Sequence, residues 1–453
     1  MAIDISRIPE SLVPYYTCGF GESVVLYEGQ LELRSGDESE SGDGQITLTW
    51  RPKPQIRWRV DGTVSPLAAF MAIDRQATQA ILPSLDRVPP PGLDVWAPEK
   101  RPGANSRRTE PLGPCEFGNP RTLRRMLIHV VNGFEWHLPQ VIREGTAGWR
   151  GRLTMEVDGW LITVDRHQDP FTELDEEGGF AFTHTLQIER SDGATFAAPD
   201  RERLELGMWH FFAFCRGRLV GFTLHVGFDE NDEPCWADWS QRLIDDWQPT
   251  INWCDLLLVG EFEGLLRSWM TLSEDPFWTQ VLHRVVRILV SANDPHPLDA
   301  AIPTAQTALE LLSWAVLVIK ETWLVPGEGD LSFQGRLRLL LKWAGIDPAV
   351  PVELVDMERV RREANLTDAP ATIAWVRNRL VHPPKMGNDG LPQWPSHDLQ
   401  VDVWRLSLQY IELIVLRLLG YQGRFGTRTH IDGRWAGDVE PVPWAVEPAG
   451  GNG

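Results

Sequence analysis

The chain has 453 residues, 43% of them hydrophobic and 23% charged, with a formal net charge of −20. That length predicts two or three domains with ample core, and the composition is that of an ordinary soluble protein rather than a fibrous or disordered one. No basic arm or stripe is present to grip a nucleic-acid backbone, which argues against a high-affinity nucleic-acid binder but leaves room for an enzyme with a small, locally basic site.

The 21 tryptophans, against 5 tyrosines, are read as packing residues, with a base- or sugar-stacking surface as the alternative. The five cysteines, Cys18, Cys115, Cys215, Cys235 and Cys254, are scattered and form no CxxC pair. Neither a zinc module nor a disulfide framework is indicated, and a reducing cytoplasm is the expected compartment. The first residues carry no signal-peptide core. The longest apolar run, Leu309 to Ile319, is broken by Ser313 and reads as too short to span a bilayer.

In chain order, Ser23–Arg34 and Gln45–Arg51 alternate as half-buried strands around an acidic Gly/Ser-rich hairpin loop, Ser35–Gly44, and Gln55–Val60 continues the sheet. Residues 89–120 read as a long Pro/Gly-rich connector holding a small basic group, Lys100, Arg101, Arg107 and Arg108. The strand pattern returns from Thr122 to about Phe228. It includes a hairpin at Asp158-Gly159, a strand over Phe180–Glu189, and two strands, Met208–Cys215 and Arg218–Gly227, flanking Arg216-Gly217. Short strands at regular spacing with Gly turns predict a sandwich or curved sheet. Trp236, Trp239, Trp247 and Trp253 are read as packing at the junction that follows.

At about Asp255 the apolar period changes from two to 3.6. Helices are expected over Leu256–Leu272, Pro276–Ala292, Thr304–Trp323, Ser332–Ala344 with Gly345 as C-cap, and Val352–Asn365. Another should start at Asp368-Ala-Pro370 with Asp368 as cap, and a last one should span Asp398–Leu419. Residues 426–453 read as a Gly/Pro/Trp tail, mobile apart from local Trp contacts.

The helix that starts at Asp368 ends in Ala374-Trp-Val-Arg-Asn-Arg-Leu-Val-His-Pro-Pro384. Pro383 disfavours helical backbone at His382, and the free carbonyls of a last helical turn favour a protonated imidazole. An arginine, Arg377, thus precedes by one to two turns a histidine suited to proton transfer near neutral pH. Fixed cation plus proton carrier is chemistry that cleaves a phosphodiester without metal. As a bare pattern Arg-x4-His is common by chance, and the chain holds a second copy, Arg124 to His129, inside a strand pattern that nothing terminates. Asp294-Pro-His-Pro-Leu-Asp299 gathers His296 and two carboxylates, and its two prolines explain it as a turn. His210 and Cys215, five residues apart on an expected strand, point to opposite faces and form no nucleophile pair.

Together with Gln306-Thr-Ala-Leu-Glu-Leu-Leu312 on an early apolar helix and a closing apolar helix, the segment Arg377-Asn-Arg-Leu-Val-His382 resembles the HEPN superfamily of ribonucleases. A β-rich half joined to such a domain is similar to ApeA-type abortive-infection proteins. The resemblance covers about residues 256–425 and is architectural only before that. It implies an α+β multidomain chain: β-rich, sandwich-like subdomains over 1–120 and 121–255, an all-α HEPN bundle over 256–425, and a tail over 426–453. It further implies a cytoplasmic endoribonuclease without cofactor or metal, acting on RNA (tRNA a candidate) in antiphage defence, as a homodimer or larger through the helical domain, with no membrane contact. His382 would move the proton, Arg377 would stabilise phosphate charge, and Asn378 would position the phosphate or the histidine. Glu310, Arg379 and Tyr410 are candidate supporting residues, with a helix-edge position for Glu310 and core packing for Tyr410 as the alternatives. A phage-derived trigger or other regulator would act on the β-rich half. HEPN toxins silenced by adenylylation carry a tyrosine two residues after the histidine; here that position is Pro384, so the resemblance does not extend to that control. The rival reading is a non-catalytic HEPN-like dimerisation scaffold bearing a Trp-rich β receptor for a protein or glycan.

Overall fold

The computed structural model describes residues 7–35, 38–61, 78–81, 93–95, 107–111, 116–135, 138–168, 170–255, 258–294, 297–325, 331–382, 386, 393–430 and 437–445. A β-sheet-rich N-terminal region is followed by an α-helical C-terminal region. The chain divides into two compact units, one of residues 1–209 and 220–249, the other of residues 210–219 and 250–453.

In the first unit, β1 (Val24–Ser35), β2 (Glu38–Thr49), β3 (Gln55–Asp61), β4 (Thr78–Ile81), β5 (Leu93–Val95) and β6 (Arg107–Pro111) form an antiparallel sheet in the order β5-β4-β1-β2-β3-β6. β1 and β2 stay paired from Val24↔Leu48 to Ser35↔Glu38. The acidic stretch read as a loop is therefore strand down to Glu38, because backbone pairing needs no apolar side chains. The expected connector contributes β5, β6 and β7 (Glu116–Gly118). Arg107 and Arg108 start β6 opposite Asp61 and Val60; Lys100 and Arg101 lie outside the described residues.

A second antiparallel sheet adds β8 (Arg125–Val131), β9 (Gln140–Glu144), β10 (Ala147–Val157), β11 (Trp160–Arg166), β12 (Phe182–Arg190), β13 (Gly221–Phe228) and β14 (Pro234–Gln241), in the order β7-β14-β13-β8-β12-β11-β10-β9. The β10–β11 hairpin turns at Asp158 and Gly159, both at positive φ (53° and 73°), as a two-residue turn matched to strand twist requires. β13 is buried along its whole length and β8 from its second residue, so both lack alternation, whereas β10 alternates over Leu153, Met155 and Val157. Val24, Ile46, Leu48 and Trp50 of the first sheet share a core cluster with Val131, Phe182, Leu224 and Trp239 of the second.

The expected strand Met208–Cys215 is instead part of a helix. After α1 (Pro170–Glu177), α2 runs Glu202–Arg216, and the division between the units falls within it. Glu202 and Glu205 in the first turn and Arg216 in the last suit the helix dipole, and Gly217, at φ 72°, follows the last turn. Burial all round, from Met208 to Cys215, removes the polar face that would have shown the helical period.

The second unit holds α3 (Phe262–Leu272), α4 (Pro276–Ala292), α5 (Leu298–Trp314), α6 (Phe333–Ala344), α7 (Val355–Glu363), α8 (Ala369–Val381) and α9 (His397–Leu418). Asp275, Ser332, Asp368 and Ser396 cap α4, α6, α8 and α9 through their side chains, and Gly345 closes α6 in the left-handed conformation. α9 packs against α4, α5, α6, α7 and α8. α5 begins six residues before the expected Thr304, with Pro303 inside it, and continues as a π-helix over Ala315–Lys320. The continuous 23 residues Leu298–Lys320, with an 18-residue stretch of mean hydropathy 1.5, are long and apolar enough to cross a membrane by length and composition alone, so the short run seen in the sequence understates this helix. Its residues Ile302, Ala305, Leu309 and Leu312 are buried in the bundle, as in a core helix.

Among the described residues, the tail is tied to the helical unit. Arg428, 2% exposed, donates to Glu412 from Nε and Nη2 (2.8 and 2.7 Å) and to Asn293 Oδ1 from Nη1 (3.0 Å), while its backbone N–H reaches Gln409. β15 (Arg424–Phe425) pairs with β16 (Glu440–Pro441), and Trp444 donates to the Tyr421 carbonyl.

Candidate functional site

Helix α8 is fixed at its start. Asp368 accepts the Ala371 N–H (3.0 Å) and is held by the Arg338 guanidinium of α6, whose Nη2 also reaches Thr367 Oγ1. The apolar face Ala369, Ala371, Ile373 and Val376 is buried. This leaves the last turn and a half to present Arg377, Asn378 and Arg379. At Val381 the helix stops. His382 takes extended backbone (φ −110°, ψ 152°) while its N–H still donates to the Asn378 carbonyl (3.0 Å). Pro383, Pro384 and His296 lie outside the described residues.

Arg377 is half-buried and donates from Nη1 to Asn378 Oδ1 (3.3 Å), and its Nε is buried with no partner among the described residues. Asn378 and His382 are both exposed and, one turn apart, lie near one face, with Arg377 roughly 100° round the axis. Arg379 turns back along the helix onto the ring of Trp375, 3.3 Å from its centre, and burial pushes its guanidinium below the usual range. The site therefore joins an arginine to an asparagine and leaves an accessible imidazole at the helix end. Such a set can bind a phosphate and exchange a proton.

The supporting residues stand elsewhere. Glu310, on α5, accepts from Gln306 (2.7 Å), its neighbour one turn earlier. Tyr410, on α9, is 2% exposed, its hydroxyl has no partner among the described residues, and burial pushes the phenol well above its usual range. It is a core residue. α5 and α9 both pack against α8, but no hydrogen bond or ion pair joins Glu310 or Tyr410 to Arg377 among the described residues.

The other Arg-x4-His copy is structural. His129 on β8 is fully buried, with Nδ1 bonded to the Leu224 carbonyl (2.8 Å) and Nε2 accepting the Tyr16 N–H (2.9 Å). His210 and Cys215 both lie on α2, where His210 stacks on His283, with ring centres 3.6 Å apart, and Cys215 is fully buried. Trp236, Trp239 and Trp247 bond Glu116, Tyr16 and Asp175 inside the first unit, and Trp253 bonds the Phe214 carbonyl inside the second. Among the described residues no His, Cys, Asp and Glu side chains gather as a metal site.

No motif or spacing points to a cleft of about 540 Å³ in the first unit, between the segment Glu10–Gly21 and the strands β9 to β12. The segment is pinned where Leu12 N–H meets the buried Asp165 carboxylate (2.6 Å) and where Tyr16 N–H meets His129. Trp149, Phe180 and Phe182 contribute rings, and Arg166 and Glu173 contribute charge.

Residues 118–250 match the family described as the YopA central domain, and residues 275–441 the YopA C-terminal domain. No solved structure matches the chain. Over 437 residues, spanning 93% of this chain and 95% of the other, the protein is 28% identical to the SPbeta prophage-derived uncharacterized protein YopA of Bacillus subtilis (strain 168), so its likeness to YopA runs through both units.

Proposed function

We propose that the helical unit is a metal-independent endoribonuclease of HEPN type and that the β-rich unit, read as a sandwich-like module, regulates it. The observation that carries this reading is the end of α8, where Arg377 is tied to Asn378 and His382 stands exposed in extended backbone. In this reading the RNA 2′-hydroxyl attacks its own phosphodiester and the P–O5′ bond breaks. His382 takes the proton of the 2′-hydroxyl or gives one to the leaving 5′-oxygen, Arg377 stabilises the charge that grows on the phosphate, and one 2′,3′-cyclic phosphate end and one 5′-hydroxyl end result. The attack is intramolecular, so RNA and not DNA is the substrate, with tRNA a candidate. The working form is a homodimer or larger in the cytoplasm. Trp314, Ile319, Trp323 and Val381, each more than two-fifths exposed, offer apolar surface for a second copy. The prophage origin of the Bacillus subtilis relative supports a role in conflict between phages and their hosts.

The net charge of −20 favours a second reading, a non-catalytic scaffold whose β-rich half is a receptor for a protein or glycan. Incubation with total RNA and tRNA in EDTA, beside His382→Ala, separates the two. Cleavage that leaves cyclic-phosphate ends and is lost in the variant supports the ribonuclease. Intact RNA with the wild-type protein, in the presence and absence of phage lysate, sinks it.

A further inference from the structure

We infer that the cleft of the β-rich unit binds a nucleoside monophosphate, with the phosphate on Arg166, the base against the aromatic wall at Trp149, and a base amine or ribose hydroxyl on Glu173. The site lies apart from Arg377 and His382, and its test reads binding rather than RNA cleavage.

Most charged groups of the cleft are already satisfied. Asp165 receives two bonds from Arg152 (both 2.7 Å) and one from Leu12 N–H. Arg143 pairs with Glu10 (2.7 Å) and donates to the Ile8 carbonyl. His167 has one ring nitrogen near the Phe182 carbonyl and the other on Thr185 Oγ1. Apart from Glu144, which is exposed to solvent, Arg166 and Glu173 remain. Among the described residues neither side chain has a hydrogen-bond or ion-pair partner, and Arg166 Nε and Glu173 Oε2 are buried without one. Arg166 is held in place by the Phe171 ring, with Cζ 4.3 Å from its centre. Burial pushes the guanidinium below its usual range, and the Glu135 charge only partly offsets this. A desolvated cation that its counter-charge balances only in part is costly, and an arriving anion reduces that cost.

The ligand must then carry an anion, a donor and a flat apolar face. An aromatic amino acid meets the charge pattern, with its carboxylate on Arg166 and its ammonium on Glu173, but leaves much of the cleft empty. A nucleotide supplies all three features at a size suited to a site of this volume. Rings accept any base face, so base identity would be read mainly through Glu173.

The test is calorimetric titration of the full chain with the four ribonucleoside monophosphates, with adenosine and with L-tryptophan. At least one monophosphate should bind in the micromolar range, and adenosine at least tenfold more weakly than AMP. Arg166→Met should cost at least tenfold in affinity, while Arg166→Lys retains part of it. Glu173→Gln, on the partly exposed α1, should fold normally and shift the order of preference among the four bases. The inference is overturned by the absence of monophosphate binding at millimolar concentration, by L-tryptophan binding more tightly than every nucleotide, or by unchanged affinity in Arg166→Met. If that variant fails to fold, an unchanged base preference in Glu173→Gln overturns it instead.

Discussion

Replacing Arg428 by Met would test whether the C-terminal tail is part of the helical unit. Arg428 and Glu412 side chains are each 1% exposed, joined by two charge-assisted bonds and backed by Asn293. Methionine fills similar volume but leaves the Glu412 carboxylate buried without its cation. Breaking one half of such a pair costs about 3–5 kcal/mol, whereas replacing both halves by apolar groups is often neutral. In a unit of this size, about 2–4 °C of melting temperature is lost per kcal/mol, so Arg428→Met should melt roughly 6–20 °C lower. Arg428→Met combined with Glu412→Leu should recover most of that. Far-UV circular dichroism melts, with urea midpoints as a check on cooperativity, read the difference. A loss under about 1 kcal/mol in the single variant, or a double variant no better than the single, would refute the argument that this pair anchors the tail.

Three further outcomes follow from the same structure. Alanine at His382 or Arg377 should lower RNA cleavage by roughly 10²–10⁴ without changing the melting temperature, since proton transfer and phosphate stabilisation each contribute on that scale; a loss accompanied by unfolding would not count as support. Asp368→Ala removes both the cap of α8 and the partner of Arg338 and should cost about 1–2 kcal/mol by urea titration. In the β-rich unit, burial pushes His129 down to about 3 and holds His184 well below its usual value, with His167 and, for His129, His225 adding repulsion. Both histidines are neutral when folded and gain protons when unfolded. Their contribution is therefore full above pH 6.5 and falls as pH drops toward 3, by up to about 1.4 kcal/mol per histidine per pH unit. Urea midpoints at pH 7.5, 6 and 5 should decline, and a flat profile would show that burial is not holding these rings neutral.

What could be read in the sequence was local. Asp368, Ser332 and Gly345 act within a few residues of their own position, so the ends of α6 and α8 were legible, as was the Asp158-Gly159 turn. The end of α8 was legible for the same reason: Arg377, Asn378 and His382 sit on one short piece of backbone. Strand and helix could not be told apart over Met208–Cys215, because a run buried on every side has no period and its aromatic residues favour strand. The better evidence lay just outside the run, in Glu202, Glu205 and Gly217, which fit the ends of a helix. The cleft draws on segments near residues 12, 149, 166 and 173, and no spacing rule brings those together.

The tail shows how composition can mislead in the other direction. Its glycines, prolines and tryptophans suggest mobility, yet one arginine sixteen positions from Glu412 ties residues 426–430 to α9, and the Gly437 N–H returns to Asp255. A buried arginine is stable only against a buried acid, and the acid on α9 looks like a flaw in an apolar helix until its partner is known. The similarity to the YopA C-terminal domain extends to residue 441, past this ion pair and through β16. The physical module therefore closes at the tail rather than at Gly420. A chain cut after Phe425 would strand Glu412 in the same way as Arg428→Met, and it should destabilise the helical unit by at least as much while leaving Arg377, Asn378 and His382 in place in the sequence.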